Sequence, residues 1–379
     1  MTFEYLGQMK DFFDVLEEDE LFFLRDNPLP PFLKWPGGKA EELQLLFGYP
    51  NLFPPRFDRY FEPFAGGGAF WRWLQPRGSF FLNDNCTDLI HFYRCLQNRD
   101  IRFFDTLAVL ESAWHKLRFF SDLSDKHVDD LFEGRVDTLV EDTMGLSGYA
   151  VGEGMMETML KVFSEKMGRV RGGLGAVHRS DRQSNVESAL KAAYYTHVRE
   201  AYNKAPPGSI RIALFYFLRE FSFSSMFRFN ADGDFNVPYG GISYNRKLPE
   251  QRAINWASGD SRQLLKNTTF SVGDFEIFLE THAPGPQDFV FVDPPYDESF
   301  STYDNKTFDQ EDHERLAAWL TKSSASFVAV VKETPLMLKL YPERDGIRHW
   351  SYPKHYSVSF MDRNDQDTEH LVVFRVRTP

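Results

Sequence analysis

The residues best placed to do chemistry are Asp293-Pro294-Pro295-Tyr296, which directly follow the apolar run Phe289-Val290-Phe291-Val292. A continuous run of β-branched and aromatic residues predicts a strand buried on both faces, as in a parallel sheet. Two prolines end that strand and leave their carbonyls without a ladder partner. The expected product is a carboxylate, a backbone carbonyl and an aromatic ring at the C-terminal edge of a sheet, where open α/β folds bind ligands. An exocyclic amine stacked on Tyr296 would donate one hydrogen to the Asp293 carboxylate and another to the Pro294 carbonyl. Those acceptors draw the nitrogen lone pair out of conjugation, so that the amine can attack a methyl sulfonium. A plain turn after a strand uses the same residue types, so the reading depends on what accompanies them.

Two further motifs accompany them. Glu62-Pro63-Phe64-Ala65-Gly66-Gly67-Gly68 has the composition of a strand-to-helix turn, where glycine lets backbone approach a ligand and a helix start offers unpaired N–H groups. Asp84 closes the next apolar run, and an acid about 20 residues after such a loop suits a ribose hydroxyl pair. No Lys-Ser or Lys-Thr follows the glycines, so this is not a phosphate-cradling loop. Phe32-Leu33-Lys34-Trp35-Pro36-Gly37-Gly38-Lys39 sets an aromatic ring and a cation beside a glycine pair, able to wall the far side of the same pocket. The alternatives are a tight turn for the glycine segment and a surface loop with a buried tryptophan for the Trp35 segment.

The elements that must position these residues alternate along the chain. Strands are expected at 60–62, 79–83, 270–272, 289–292, 327–331 and 371–374, with helices at 69–74 and 309–322. Residues 96–220 read as mostly helical, with an irregular glycine-rich piece at Arg171-Gly172-Gly173-Leu174-Gly175. The Asp232-Gly233 step between two short extended runs signals a β-hairpin at 226–240. The expected organisation is an acidic extension with some helical periodicity at 1–30, a catalytic α/β domain from 31–95 and 265–379, and a helical insert at 96–264.

Composition sets the outer limits. The chain has 379 residues, 38 of them Phe, and 42% are hydrophobic, enough for a sizeable core. Its two cysteines, Cys86 and Cys95, fit neither a metal pattern nor a secreted disulfide framework. No apolar run of about 18 residues and no basic-then-apolar N-terminus occurs, so no membrane partner is expected and the location should be cytoplasmic. The net charge of -12 argues against wholesale coating of nucleic acid. Basic residues gather at 169–182, 191–228 and 246–252, which makes the middle of the chain the expected contact surface for a polyanion.

Taken in order, Phe32 to Lys39, Glu62 to Phe70, Asp84, the hairpin at 226–240 and Asp293 to Tyr296 resemble the Dam-type (α-group) DNA N6-adenine methyltransferases. The resemblance covers roughly residues 31–379 apart from part of the insert. It implies a Rossmann-like domain, S-adenosyl-L-methionine as methyl donor, double-stranded DNA as partner, a prokaryotic or phage, nucleoid-associated setting and, for a restriction–modification member, a cognate endonuclease. Family roles then fall on Trp35 and Lys39 at the cofactor, on Glu62, Phe64, Gly66 and Gly68 in its loop, and on Asp84 at the ribose. Asp274 and Phe275 would flank the cofactor adenine. Asp293, Pro294, Pro295 and Tyr296 would hold the target base, and Arg228, Asn230, Asn236 and Pro238 would meet DNA. Arg228 stands where GATC readers place an arginine on guanine, a role its forked donors suit. Ser224-Ser225 replaces the Asn-Gly common in those readers, and Gly241-Ile242-Ser243 replaces a basic stretch.

Cytosine-C5 chemistry needs a nucleophilic cysteine, usually after proline, whereas Cys86 follows Asn85 and Cys95 follows Arg94. Cytosine-N4 enzymes usually carry Ser in place of Asp293. His313 reads as a first-turn surface residue rather than a general base, because the activated amine needs no strong base. An RNA adenine methyltransferase and a catalytically silent DNA-binding protein remain as the alternative functions.

Overall fold

The computed structural model describes residues 24, 29–35, 38–39, 42–75, 77–119, 125–135, 154–173, 179–226, 228–295, 308–355 and 367–377. The chain forms two compact units, Met1–Ile90 with Gly259–Pro379, and His91–Ser258. Tyr296 and nearly all of the acidic extension at 1–30 lie outside the described residues.

The first unit is built on seven strands: β1 (Arg59–Glu62), β2 (Ser79–Asp84), β3 (Thr268–Val272), β4 (Phe289–Val292), β5 (Ser326–Lys332), β6 (Arg348–His355) and β7 (Asp367–Arg375). Their order is β3-β2-β1-β4-β5-β7-β6. The first five run parallel, and β7 lies antiparallel between β5 and β6. The order reverses between β1 and β4, the place where such sheets open a crevice at their carboxyl ends. Every residue of β4 is buried, as its unbroken apolar run requires. One face packs Phe61, Val290, Val292, Phe327 and Ala329 against Phe278, Leu279, Leu316 and Leu320. The other is aromatic, with Phe70 stacked on Phe291 at 4.3 Å and on Tyr60 at 5.7 Å. Each such side chain contributes about 1.5–3 kcal/mol by leaving water. The helices of this unit are α1 (Leu43–Phe47), α9 (Gly259–Lys266), α10 (Phe275–His282), α11 (Gln310–Lys322) and α12 (Pro335–Leu340). Asp309 and Asp312 close a capping box at the start of α11, which fixes where the helix begins.

One expected element is different. Residues 69–74 form only a 3-10 turn, Trp71–Trp73, in place of a helix. Trp71, Arg72, Trp73 and Leu74 are all buried, so packing rather than propensity sets this backbone. The Arg72 guanidinium donates to the Pro30 carbonyl at 2.9 Å and to Ser261 Oγ at 2.7 Å and lies over the Phe32 ring.

The chain passes into the second unit within α2 (Thr87–Asn98) and continues through α3 (Ile101–Phe119), α4 (Asp125–Phe132), α5 (Met155–Gly173), α6 (Arg179–Lys204), α7 (Ser209–Phe221) and α8 (Pro249–Trp256). α7 is buried without a break from Ile212 to Phe221, the signature of a central helix. α5 runs through Arg171-Gly172-Gly173, which sequence patterning reads as irregular. Two glycines cost a helix about 1 kcal/mol each without breaking it, and Arg171 Nη1 pins the last turn to the Phe132 carbonyl at 2.8 Å. Among the described residues no helix is long and apolar enough to cross a membrane.

Candidate active site at the carboxyl edge of the sheet

Parallel pairing brings the ends of four adjacent strands together, and each end carries an acid. Glu62 ends β1, Asp84 ends β2, Asp274 follows β3 and Asp293 follows β4. Asp293 Oδ1 lies 2.9 Å from Nζ of Lys39, a lysine that is only 2% exposed. This pair joins the Trp35 motif to the Asp-Pro-Pro segment, in which Pro294 is buried.

Glu62 is 3% exposed and accepts a hydrogen bond from the Tyr60 hydroxyl at 2.8 Å. Burial pushes its pKa well above the usual carboxylate range; the Tyr60 bond opposes this, and the negative charges of Asp293 and Asp84 reinforce it. Glu62 therefore keeps its proton in the folded chain at pH values where the unfolded chain releases it. The stability it supports is full below its unfolded pKa and is lost as pH rises toward the folded value. Glu62→Gln, which mimics the protonated form, should thus flatten the fall in Tm between pH 5 and 8 and raise Tm at pH 8. Parallel thermal melts of the two proteins across that range check this.

The glycine loop is shaped by its neighbours. Asn83 Nδ2 donates to the carbonyls of Pro63 at 3.1 Å and Gly273 at 2.8 Å, tying three strand ends together. Gly66, at φ +47°, donates its N–H to Asp84 Oδ2 at 2.9 Å, and Asp84 Oδ1 accepts from Cys86 N at 2.8 Å. Asp84 thus orders the loop through both of its carboxylate oxygens. Residues 32–35 lie directly on the loop. Phe32 N donates to Gly67 O at 3.2 Å, and a Cβ at Gly66 would stand 2.9 Å from the Trp35 ring.

Phe64 packs on Phe275 at 5.3 Å and edge-on to Phe308 at 5.4 Å, so Phe275 is a core residue with little open face. Asp274 caps α10 by accepting from Glu276 N and Ile277 N and pairs with Arg315 at 2.9 Å. His313, expected on the surface, is half-buried edge-on to Phe308 at 4.8 Å, and burial lowers its pKa.

In the second unit the expected hairpin appears, among the described residues, as two isolated antiparallel bridges, Phe229 to Phe235 and Ser222 to Tyr239. Asn230 Oδ1 accepts the N–H groups of Asp232 at 3.0 Å and Asp234 at 2.8 Å, so a side chain takes the place of a longer ladder. Arg228 is exposed, with Nε donating to Asn236 Oδ1 at 3.3 Å. Pro238 accepts from Phe223 N at 2.9 Å. The return arm hangs on α6. Tyr195 donates its hydroxyl to Val237 O at 3.0 Å, Arg199 reaches the same carbonyl, and Asn203 bonds both N and O of Phe235. Sequence reasoning missed these three, although a spacing of four residues marks one helix face. Ser224 and Ser225 hold φ values of 52° and 51°, the left-handed region that Asn and Gly favour. Several basic residues of this unit are engaged internally: Arg182 with Asp129, Lys191 with Glu187 and Arg252 with Glu220.

Known proteins resemble this chain in sequence. Residues 35–131 and 176–356 match the family described as D12 class N6 adenine-specific DNA methyltransferase. The Type II methyltransferase M.CviBI of Paramecium bursaria Chlorella virus NC1A is 25% identical over 352 residues, covering 91% of this chain and 99% of that relative. The Type II methyltransferase M1.LlaDCHI of Lactococcus lactis subsp. cremoris is 26% identical over 325 residues, covering 83% and 85%. The DNA N-6-adenine-methyltransferase of Escherichia phage P1 is 30% identical over 295 residues, covering 76% of this chain and 27% of that relative. With more than half of its length matched and its strand-end acids gathered at one sheet edge, the chain belongs to the D12 class of N6 adenine-specific DNA methyltransferases.

Proposed function

We propose that this enzyme uses S-adenosyl-L-methionine to methylate N6 of an adenine turned out of duplex DNA, with Asp293 accepting the target amine. The observation that carries the reading is the pairing of Asp293 with Lys39 beside two further acids, Glu62 and Asp84. Burial and the neighbouring acids hold the proton on Glu62, and a cationic ligand would favour its ionised form, so the residues fit a donor bearing a sulfonium and an ammonium. Bound there, the donor supplies a methyl group activated by positive sulfur. Glu62 and Asp84 hold its charged and hydroxyl groups, and Trp35 with the glycine loop walls its pocket. The Asp293 carboxylate and the Pro294 carbonyl accept the two amine hydrogens, and Tyr296 stacks on the base. Turning the base out of the duplex costs a few kcal/mol, which stacking and these two bonds offset.

The test is to incubate the protein with S-adenosyl-L-methionine and methylation-free duplex DNA and then to digest the DNA to nucleosides. N6-methyladenine is expected, and unmethylated DNA or methyl groups only on cytosine would overturn the reading. A library of single-base site variants adds the specificity test. Arg228 carries five N–H donors, one of which meets Asn236. Arg228→Ala should cost about 1–3 kcal/mol at one base position and relax selectivity there. An equal loss on every variant, with a salt slope smaller by about one, would assign Arg228 to phosphate instead.

A further inference from the structure

Arg315, in the second turn of α11, holds three carboxylates at once. Its Nη2 donates to Asp274 Oδ1 at 2.9 Å, its Nε to Glu276 Oε2 at 2.8 Å and its Nη1 to Asp312 Oδ1 at 2.7 Å. The guanidinium carbon also stands 4.9 Å from the centre of the Phe275 ring. Asp274 and Glu276 open α10, whereas Asp312 belongs to the capping box of α11, so one side chain locks two helix starts together. The lock stands at the carboxyl edge of the sheet. Gly273, the residue before Asp274, donates its N–H to Asp84 O at 3.2 Å and accepts from Asn83 Nδ2 at 2.8 Å. Phe275, the residue after it, packs on Phe64 of the glycine loop.

The bonds to Asp274 are unevenly shared between its two oxygens. Glu276 N at 2.9 Å, Ile277 N at 3.2 Å and Arg315 Nη2 all reach Oδ1. Among the described residues no hydrogen bond reaches Oδ2, and the side chain is 34% exposed. An ionised carboxylate oxygen only accepts, so Oδ2 suits an N–H donor and opposes a carbonyl. Part-exposed ion pairs of this kind add little to stability. Their effect here is on geometry, because the planar fork of arginine fixes the orientation of its carboxylates as the point charge of a lysine does not. We propose that Arg315 is a positioning residue for the base of the methyl donor: it turns Asp274 so that Oδ2 accepts the exocyclic N–H of adenine and selects a 6-amino purine over a 6-oxo purine. This role rests on S-adenosyl-L-methionine as the donor and on Asp274 standing beside its adenine.

Calorimetric titration with S-adenosyl-L-homocysteine and with its deaminated analogue, S-inosyl-L-homocysteine, tests this without turnover. The two ligands differ only at the purine 6-position and the adjoining N1 proton. The unaltered protein should favour the adenosyl ligand by about tenfold or more, the scale of a hydrogen bond to a charged acceptor. Asp274→Asn should reverse that preference. The cap of α10 keeps an oxygen at the place of Oδ1, which puts the amide NH2 at the place of Oδ2. Arg315→Met and Arg315→Lys should each cut the preference about threefold, half of the bond's worth on a logarithmic scale, through the adenosyl ligand alone. Lysine keeps the charge, so a full preference in Arg315→Lys would overturn the proposal. Equal weakening of both ligands, the mark of a purely structural role, would overturn it as well. If Arg315→Met fails to fold, Arg315→Lys decides alone. No preference in the unaltered protein, or an unchanged one in Asp274→Asn, would remove Asp274 from the donor base, and no binding of either ligand would remove the donor itself. A reversed preference in Asp274→Asn with unmoved ratios in the arginine variants would remove the role of Arg315 only.

Discussion

Asp293→Ala should lower kcat by about a thousandfold or more, since in the proposed function it removes the acceptor of the target amine as that group becomes a nucleophile. Donor affinity should fall far less than kcat, because in the proposed function Glu62 and Asp84, rather than Asp293, contact the donor. The change also takes a carboxylate away from the buried Lys39 ammonium, so Tm should fall as well. Asp293→Asn separates the two effects. It keeps a polar neighbour for Lys39, should recover part of the lost Tm, and should remain inactive. Tyr296→Phe should be far milder than Tyr296→Ala, since stacking needs the ring and not the hydroxyl. Single-turnover methylation with calorimetric donor titration checks all four variants, and an active Asp293→Asn would exclude the charge as the operative feature.

Gly67→Ala should be the most damaging one-atom change in the glycine loop. A Cβ there would stand 2.4 Å from the Leu33 carbonyl oxygen, a backbone atom that no rotamer change can move aside. Overpacking of this kind costs about 1–3 kcal/mol, and here the shift separates the two segments proposed to wall the donor pocket. Tm should fall, and donor affinity should drop by more than the stability loss explains. Gly168→Ala is the matched control. It lies inside α5 with nothing within 4 Å of its added carbon, and it should gain about 0.5–1 kcal/mol. Equal donor affinity in the two variants would show that the contact between Leu33 and Gly67 has no bearing on the pocket.

Much of the sheet is readable from residues, and the exceptions have physical causes. β4 announces itself because burial on both faces demands an unbroken apolar run. β6 does not, since Arg348–His355 is a largely exposed edge strand with Pro353 inside it, and neither alternation nor an apolar run marks it. The turn at Trp71–Trp73 follows the packing of two indoles and a guanidinium, information held by distant partners such as Pro30 and Ser261. The strand-end acids are legible because periodicity predicts where strands stop. The pairing of Lys39 with Asp293 is not, for a salt bridge across most of the chain leaves no local pattern.

The split of the first unit around a continuous helical unit has a consequence for biosynthesis. β1 and β4 are neighbours at the centre of the sheet, yet Arg59 and Asp288, which meet across their ends, are 229 residues apart. At about 5–20 residues per second, a ribosome takes roughly 10–45 s to deliver the second after the first. During that interval the apolar edge of β1 has no partner on one side, while the helical unit emerges whole and able to close its own core. The order of synthesis therefore favours completion of the inserted unit before the catalytic sheet, and it makes the nascent β1–β2 segment the part of the chain most in need of a chaperone.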